Sequence, residues 1–310
     1  MHTWTVGDTT VTRIEEQVGP NDMAAGMFLP LLDRERFATH LAWMVPTHFD
    51  PVTDKLITSN HSWLVRTPQR TILVDTCAGN HKERPWLPRF HRLDTPFIER
   101  LAATGAGPGD IDVVLCTHLH ADHVGWNTCL RDGRWVPTFP RAQYLFSRLE
   151  NERWDPAVGQ RRSENPGRAA MYDDSVLPVI EAGQALLLEG EHAIDDHLRI
   201  EPSPGHTPGH VILKLGHGNA SGVFCGDVLH HPVQVHEPGW STRFCDDPVL
   251  AATTRRHVLA QCAEARSLLF PTHFAAPHVV RIEVRHSGFE PQFVPPATAW
   301  QAKAWTRLRD

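Results

Sequence analysis

Short apolar runs and alternating stretches dominate the chain and predict more strands than helices. Thr3–Val6 and Thr9–Arg13 flank a Gly-Asp pair and predict an opening hairpin. A second hairpin is predicted for Ser62–Arg66 and Thr71–Asp75. Further apolar or alternating runs predict strands at Ile111–Cys116, Ala142–Phe146, Gln184–Leu188, Leu198–Glu201, Val211–Leu215, Ser221–Cys225, Ser267–Phe270 and Val279–Val284.

Helical periodicity is confined to a few stretches that follow groups of strands. Pro96–Thr104, Asp173–Ala182 and Pro248–Arg266 each predict a helix, and the first two are followed by glycine. Within 147–170 the first part is also expected to be helical. Strands followed by helices in each half predict an α/β protein with two packed sheets and outer helices, in a single domain over residues 1–310.

Residues 19–60 interrupt their apolar pieces with four prolines and predict a long irregular segment. Long connections of this kind often form lids or binding loops. We therefore expect this segment to wall the active site, with Met27, Phe28 and Leu29 at the substrate pocket.

Composition narrows the class of protein. The 310 residues are 41% hydrophobic and 21% charged, a balance that supports a sizeable core and excludes a disordered chain. A net charge of −6 disfavours nucleic acid as a partner, and no apolar run is long enough to span a membrane. Six cysteines without a C-x-x-C spacing, and no secretory signal, favour a cytoplasmic location. The sequence leaves open whether the protein forms a homodimer.

Histidine is unusually frequent, with 21 in the chain. Four potential metal ligands fall within six residues after a predicted buried strand. His118 and His120 occupy alternate positions, and Asp122 and His123 follow as the chain turns back. Imidazole and carboxylate together suit zinc or a similar divalent metal.

Three other strand ends supply ligand types. Ser203-Pro204-Gly205-His206 follows one strand, Gly226-Asp227 another, and Pro271-Thr272-His273 a third. One sheet edge is expected to bring these side chains together, where sites on layered folds commonly lie. Seven ligands are too many for one tetrahedral zinc, so the count indicates two metals.

This set of motifs resembles the metallo-β-lactamase-fold hydrolase superfamily over about Ser62 to His273. Ile72–Thr76 is similar to the family strand that ends in Asp-Thr-Gly, with Cys77 in place of the glycine. The resemblance implies an αββα sandwich of two mixed sheets with helices on the outer faces. It specifies the fold and the metals more narrowly than the substrate.

The resemblance also implies how the ligands divide. His118, His120 and His206 would hold the first ion, Asp122, His123 and His273 the second, and Asp227 would bridge both. Two divalent ions, with Zn²⁺ as the first choice, would share a hydroxide that attacks a small-molecule lactone or ester. Asp122 and Asp227 would then be catalytic, and His230 would donate a hydrogen bond to the leaving oxygen or carbonyl.

Details of the motifs separate the members of the superfamily. An aspartate at 227 argues against a β-lactamase, and only 37 residues after His273 argue against glyoxalase II. Lactonases and methyl-parathion-hydrolase-type phosphotriesterases remain, and an iron-dependent persulfide dioxygenase stays as a more distant alternative. The 83-residue spacing from His123 to His206 resembles the phosphotriesterases and larger lactonases.

Several other residues have open roles. His210 competes with His206 for the first ion, although His206 matches the family position. Asp75 is expected either to orient a ligand imidazole or to cap a turn. Aromatic residues between the two histidine motifs fit either an apolar pocket or plain core; they are Trp126, Trp135, Phe139 and Trp154.

Overall fold

The computed structural model describes residues 2–155, 166–217, 220–285 and 288–299. The strands are numbered in chain order. They are β1 His2–Val6, β2 Thr9–Pro20, β3 Phe49–Asp50, β4 Lys55–Arg66, β5 Thr71–Val74, β6 Val113–Leu115, β7 Thr128–Arg131, β8 Arg134–Pro137, β9 Gln143–Ser147, β10 Ala185–Leu188, β11 His192–Ala193, β12 Leu198–Pro202, β13 Val211–His217, β14 Ala220–Gly226, β15 Leu268–Pro271, β16 Val280–Arg285, β17 Gly288–Phe293 and β18 Thr298–Ala299.

Eight α-helices lie in the described residues. They are α1 Ala25–Phe28, α2 Arg34–Met44, α3 Phe97–Ala102, α4 Arg148–Trp154, α5 Pro166–Ser175, α6 Leu177–Glu181, α7 Val233–His236 and α8 Pro248–Glu264. The longest, α8, begins where the Asp247 carboxylate accepts hydrogen bonds from the backbone amides of Val249 and Leu250. None of the described helices combines the length and the apolar character needed to cross a membrane.

Two mixed sheets form the centre of the molecule. The first runs in the order β10-β9-β6-β5-β4-β2-β1-β18, with β3 paired to β4, and the second runs from β11 to β17 in sequence. In the first sheet, β5, β6, β9 and β10 are parallel. In the second, β14 and β15 are parallel neighbours, which places their carboxyl ends at the same edge.

The alternation of side chains along the strands separates the layers. Ile72 and Val74 of β5 pack toward the second sheet, where Phe224 and Phe270 belong to the same core cluster. Leu73, between them, faces the opposite way and packs with α3, α5 and α6. Residues of β14 and β15 on the outer face of the second sheet pack against α8. These contacts confirm the αββα sandwich.

The predicted irregular segment 19–60 is wrong as a description of the backbone. β2 extends to Pro20, β4 begins at Lys55, and α2 occupies the middle. The Asp33 carboxylate caps α2 by accepting from the amides of Glu35 and Arg36. The prolines that suggested irregularity lie outside this helix, where they do not interrupt its hydrogen bonds.

Other elements differ in extent. The helix expected over Asp173–Ala182 is two helices, α5 and α6, joined at Val176, and α5 begins earlier, at Pro166. The hairpin of β7 and β8 is an addition to the predicted strands, as is β17. The helix expected in the first part of 147–170 is α4, and residues 156–165 lie outside the described residues.

Candidate metal centre

All seven predicted ligands lie in loops that follow strands at one end of the sandwich. His118, His120, Asp122 and His123 follow β6, which belongs to the first sheet. His206 follows β12, Asp227 follows β14 directly, and His273 follows β15, so three loops of the second sheet face one loop of the first. The two sheets therefore each contribute side chains to one site.

Close packing at these strand ends requires glycine at two positions. Gly226 precedes Asp227 with φ +45°, and a Cβ there would lie 2.6 Å from Thr117 Oγ1. Gly205 precedes His206 with φ +130°, and a Cβ there would lie 2.3 Å from the backbone nitrogen of Ala251. Neither position leaves room for a side chain, so both turns depend on the glycines that the motifs contain.

The first group gathers three imidazoles around one carboxylate oxygen. Nδ1 of His120 lies 2.9 Å from Nε2 of His118 and 2.9 Å from Nε2 of His206. Asp227 Oδ2 lies 3.1 Å from His206 Nε2 and 3.6 Å from His118 Nε2. These four ligand atoms lie within 4.8 Å of one another, a spacing that one metal ion can fill.

The second group lies on the other side of the same carboxylate. Asp227 Oδ1 is 3.2 Å from His123 Nε2 and 3.0 Å from His273 Nε2. Asp122 Oδ2 completes the group at 3.9 and 3.7 Å from the same two nitrogens. The two oxygens of Asp227 thus face two separate sets of nitrogens, as a bridging carboxylate does.

Hydrogen bonds at the outer ring nitrogens set the tautomers of the imidazoles. His123 Nδ1 donates to Asp75 Oδ2 at 2.9 Å, and His273 Nδ1 donates to the Ser59 carbonyl at 3.0 Å. With Nδ1 donating outward, Nε2 is the nitrogen of each ring that is directed into the site. The expectation that Asp75 orients a ligand imidazole agrees with this contact.

His118 is held in the same way through Thr117. The Thr117 hydroxyl lies 3.0 Å from Asp75 and donates its single proton there, so it accepts from His118 Nδ1 at 3.1 Å. The outer nitrogen of His206 faces a different partner, the Cys245 sulfur at 3.6 Å. Each of these histidines therefore presents Nε2 to the centre.

Electrostatics of the centre are dominated by burial and by close opposite charges. Burial lowers the pKa of His118 and His120 well below the usual range, which keeps both rings neutral. Burial also lowers the pKa of His123, but Asp227, Asp75 and Asp122 outweigh it and raise that pKa. For Asp227, burial raises the pKa, and the surrounding imidazoles outweigh it and lower the pKa well below the usual value.

The donor set fits divalent metal ions. His120 Nδ1 carries at most one proton, so it cannot donate to both His118 Nε2 and His206 Nε2 at 2.9 Å, whereas a metal ion between the three nitrogens satisfies all of them. Asp227 Oδ1 is buried without a hydrogen-bond partner among the described residues, which is costly for a carboxylate unless a cation binds it. Imidazole and carboxylate ligands in this number suit zinc and similar ions.

His206 and His210 differ in the partners of their ring nitrogens. His210 Nε2 accepts from the backbone amide of Asp227 at 3.0 Å, so its Nδ1 carries the proton and donates to Ser203 Oγ at 2.7 Å. Both ring nitrogens are therefore occupied, and His210 is unavailable to a metal. The same tautomer prevents His210 from acting as a base for Ser203.

His230 lies inside the cluster. Its Nε2 is 3.1 Å from Asp227 Oδ2 without the alignment of a hydrogen bond, and both ring nitrogens lack partners among the described residues. Burial lowers the pKa of His230 to about 4, against the opposing effect of Asp227. A neutral imidazole with an uncommitted N–H therefore faces the centre.

A cavity of about 340 Å³ opens over these side chains, in the size range of small-molecule sites. Phe28 and Trp154 line it, whereas Leu29 is buried in a core cluster and Met27 is exposed. Trp126 and Phe139 belong to the core. Only some of the apolar residues predicted at the pocket therefore line the cavity. The sequence pattern shows which side chains are apolar but not which of them face a cavity.

Sequence reasoning missed two buried groups and one cavity residue. Glu16 accepts from the amides of Ala78 and Gly79 and from two side chains, and burial raises its pKa to about 7. Lys82 is fully enclosed near Asp174. Arg89 lines the cavity within Trp86-Leu87-Pro88-Arg89-Phe90, a cation among apolar residues that was a usable signal.

A layered α/β fold whose strand ends gather imidazoles around a shared carboxylate defines an α/β sandwich protein with a group of side chains that could hold metal ions. The chain matches the family model of the metallo-beta-lactamase superfamily over residues 58–273, and it belongs to that family.

Two groups of relatives are similar in sequence. Hydroxyacylglutathione hydrolase of Aeromonas salmonicida (strain A449) is 28% identical over 178 residues, covering 57% of this chain and 50% of the relative. N-acyl homoserine lactonase of Bacillus cereus is 25% identical over 165 residues, covering 49% of this chain and 56% of the relative. The chain spans about half the length of the curated relatives it matches.

Solved structures confirm the fold over nearly the whole chain. Hydrolase AbOPH of the beta-lactamase superfamily superimposes with a TM-score of 0.78 at 23% identity, covering 96% of this chain and 98% of that one. AidC, a dizinc quorum-quenching lactonase, superimposes with a TM-score of 0.73 at 20% identity, covering 96% and 97%. At these identities the likeness extends to the fold alone.

Proposed function

We propose that this protein is a hydrolase of lactones or esters that works with two divalent metal ions, with zinc as the first choice. His118, His120 and His206 would hold one ion, and Asp122, His123 and His273 would hold the other. Asp227 would bridge them.

One observation carries this proposal. The two oxygens of Asp227 face different sets of nitrogens, His206 and His118 on one side and His123 and His273 on the other, at 3.0–3.6 Å. A carboxylate that served a single ion would not need imidazoles facing both of its oxygens. The orphaned Oδ1 supports the same arrangement.

The ions, when bound, would supply an activated water and polarise the carbonyl of the substrate. The protein's own groups would then hold the ligand imidazoles in place and orient the substrate. Asp75 fixes the ring of His123 through the 2.9 Å hydrogen bond, and Ser59 fixes that of His273. His230 would donate its N–H to the oxygen on which negative charge develops, as an oxyanion donor does.

Support for lactones and esters comes from the relatives and the cavity. N-acyl homoserine lactonases are among the sequence relatives, and AidC is described as a dizinc lactonase in complex with its product. Phe28, Phe90 and Phe244 give the cavity an apolar wall, which suits an acyl or aryl group attached to the scissile carbonyl.

A substrate panel on protein of measured metal content tests this function. We expect turnover of lactones or aryl esters by the dimetal form, and loss of turnover in His118→Ala. Thioesters, phosphotriesters and a cephalosporin belong in the same panel. Turnover restricted to phosphotriesters would replace the proposal with the phosphotriesterase alternative, and a single iron with oxygen-dependent chemistry would contradict hydrolysis altogether.

A further inference from the structure

The segment between β5 and α3 supplies one wall of the cavity. Trp86, Leu87, Arg89 and Phe90 all line it, as do the metal-centre residues His120 and His273. Arg89 is the cation in this otherwise apolar group, and hydrophobic surroundings strengthen the interaction of its charge with any anion that enters. Its hydrogen bonds show which part of the guanidinium is available.

Three N–H groups of Arg89 are occupied by the protein. Nη1 donates to Thr58 Oγ1 at 2.7 Å and to the Pro20 carbonyl at 3.3 Å, and Nη2 donates to the Thr58 carbonyl at 2.8 Å. A guanidinium has five N–H groups. The two that have no partner in the described part of the chain, on Nε and Nη2, form the side-on edge that binds a carboxylate with two parallel hydrogen bonds.

Neighbouring arginines of the same segment have their own carboxylates. Arg84 binds Asp174 at 2.7 Å, and Arg92 binds Glu83 at 2.5 Å. Among the described residues, Arg89 has no carboxylate within ion-pair distance of its guanidinium. The Asp22 carboxylate accepts from its backbone amide at 3.2 Å, and Asp22 and Asp122 act on the guanidinium only at longer range. A partly buried cation without a bound counterion is a favourable place for an anionic ligand.

The position of Arg89 relates this cation to the reacting end of the cavity. Thr58, which binds the guanidinium, precedes Ser59 on β4, and the Ser59 carbonyl holds His273 at 3.0 Å. The guanidinium and the metal centre are thus fixed by adjacent residues of one strand. A small molecule in the cavity is able to reach both.

We propose that Arg89 determines substrate specificity by binding a carboxylate, so that the preferred substrates are esters or lactones that carry a carboxylate a few bonds from the scissile carbonyl. This inference rests on the proposed hydrolase function. Hydrolysis itself is unchanged: water adds to the carbonyl, the acyl C–O bond breaks, and the alcohol leaves with a proton, while Arg89 forms no covalent bond.

A matched pair of esters tests the inference: mono(4-nitrophenyl) glutarate, with a free carboxylate, and methyl 4-nitrophenyl glutarate, without one. The dimetal wild-type enzyme should favour the first by at least about 10-fold in kcat/KM, mainly through KM, as expected for a charged hydrogen bond. Arg89→Gln should lower this preference ratio at least about 10-fold, and Arg89→Lys should restore part of it. Arg92→Gln, on the same segment but outside the cavity, should leave the ratio unchanged.

Binding provides a readout apart from activity. By calorimetry, the anilide of glutaric acid should bind the dimetal wild type more tightly than its methyl ester, and Arg89→Gln should remove the difference. Melting temperatures and metal contents check for damage, since Arg89 also ties Pro20 to Thr58.

The outcomes separate the two proposals. Hydrolysis of both esters without preference overturns the role of Arg89 and leaves the hydrolase function standing. An equal loss on both esters in Arg89→Gln overturns it too, because a structural role lowers both rates alike. If no ester is hydrolysed, the proposed function fails, and the calorimetric comparison still decides whether Arg89 binds carboxylates. If Arg89→Gln does not fold, the preference of wild type for the free carboxylate and the preference ratio of Arg89→Lys decide whether Arg89 binds the carboxylate.

Discussion

His230 is the residue whose role depends most on its immediate surroundings. Its ring stacks on that of His273 with centroids 5.7 Å apart, and it meets Phe28 edge-on at 5.9 Å. These contacts hold the ring in place without occupying its nitrogens. Because a fixed donor needs no reorganisation during the reaction, His230→Ala should lower kcat about 10²-fold, the scale of one oxyanion donor. Metal content should stay at the wild-type value.

A second variant separates donation from packing. His230→Gln keeps an N–H donor and should recover part of the lost rate, whereas the alanine variant should not. Steady-state kinetics with elemental analysis of each preparation provides the comparison. Unchanged kcat and KM in His230→Ala across the best substrates would reject the role.

Ser203 is the residue that an alternative mechanism would use as a nucleophile. It is buried, and its hydroxyl accepts from His210 Nδ1, so His210 is not available as a base to remove its proton. Ser203→Ala should therefore retain most of the rate of metal-loaded protein. A 10³-fold loss of kcat with normal metal content and normal melting temperature would indicate that the serine takes part in the chemistry.

At the scale of elements, α1 lies between a core cluster of N-terminal residues and the cavity. Phe28 at its end belongs to a core cluster with Phe37 and Met44, and it also lines the cavity. Phe28→Leu preserves most of the buried volume and should cost less than about 1.5 kcal/mol in the free energy of unfolding. It should still change the kcat/KM ratio between aryl and alkyl esters about 10-fold, because pocket contacts discriminate on that scale.

Phe37→Leu is the matched control for that change. Phe37 lies in the same cluster, is buried, and is absent from the cavity wall. Both variants should lose similar stability, but only the one at position 28 should shift the substrate ratio. Identical substrate ratios in the two variants would show that α1 is ordinary core.

The segment between β5 and α3 is tied to α5 by a buried charge cluster. Lys82 Nζ lies 3.5 Å from Asp174 Oδ1, and Arg84 binds the same carboxylate at 2.7 Å. Lys82 also lies 3.5 Å from the centre of the Trp135 ring. Two cations share one carboxylate, and burial, opposed by Asp174 and reinforced by Arg84, lowers the pKa of Lys82 to about 7.

This cluster makes stability depend on pH in a defined direction. Between pH about 7 and 10.5 the unfolded lysine holds its proton and the folded one does not, so the free energy of unfolding rises with pH. The rise is at most about 1.4 kcal/mol per pH unit. Urea unfolding should be measured at pH 6.5, 8 and 9.5 for wild type and Lys82→Met. From the lowest to the highest pH, the free energy of unfolding of wild type should rise relative to that of the variant by at least about 1 kcal/mol. Parallel profiles for the two proteins would contradict the assigned pKa.

For the whole molecule, local patterns predicted the layers and the end of the sandwich that carries the site. Ile72, Leu73 and Val74 alternate between the two faces of the first sheet, and this period places β5 in the sandwich. The ligand motifs each follow a strand, so their convergence required only that the strand ends meet. Cys77 adopts φ +51°, which explains why the resemblance places a glycine there.

The remaining features depend on contacts between distant parts of the chain. The sequence pattern does not predict α2, because Pro30 and Pro46 on either side of it suggest an interrupted segment, although both lie beyond the ends of the helix. Arg89 acquires its proposed role from Thr58 and Pro20, and Lys82 acquires its shifted pKa from Asp174. The periodicity of apolar residues carries no information about partners that are distant in sequence, so local sequence does not predict these two roles.

Titration of zinc into metal-depleted protein, with hydrolysis of a lactone or aryl ester followed in parallel, tests the account most directly. Two ions per chain should bind, and full activity should require the second, because Asp227 faces both groups of nitrogens. Asp227→Ala should fail to bind at least one of the ions. Saturation at one ion, or two bound ions without hydrolysis of any lactone or ester, would contradict the proposed dimetal hydrolase.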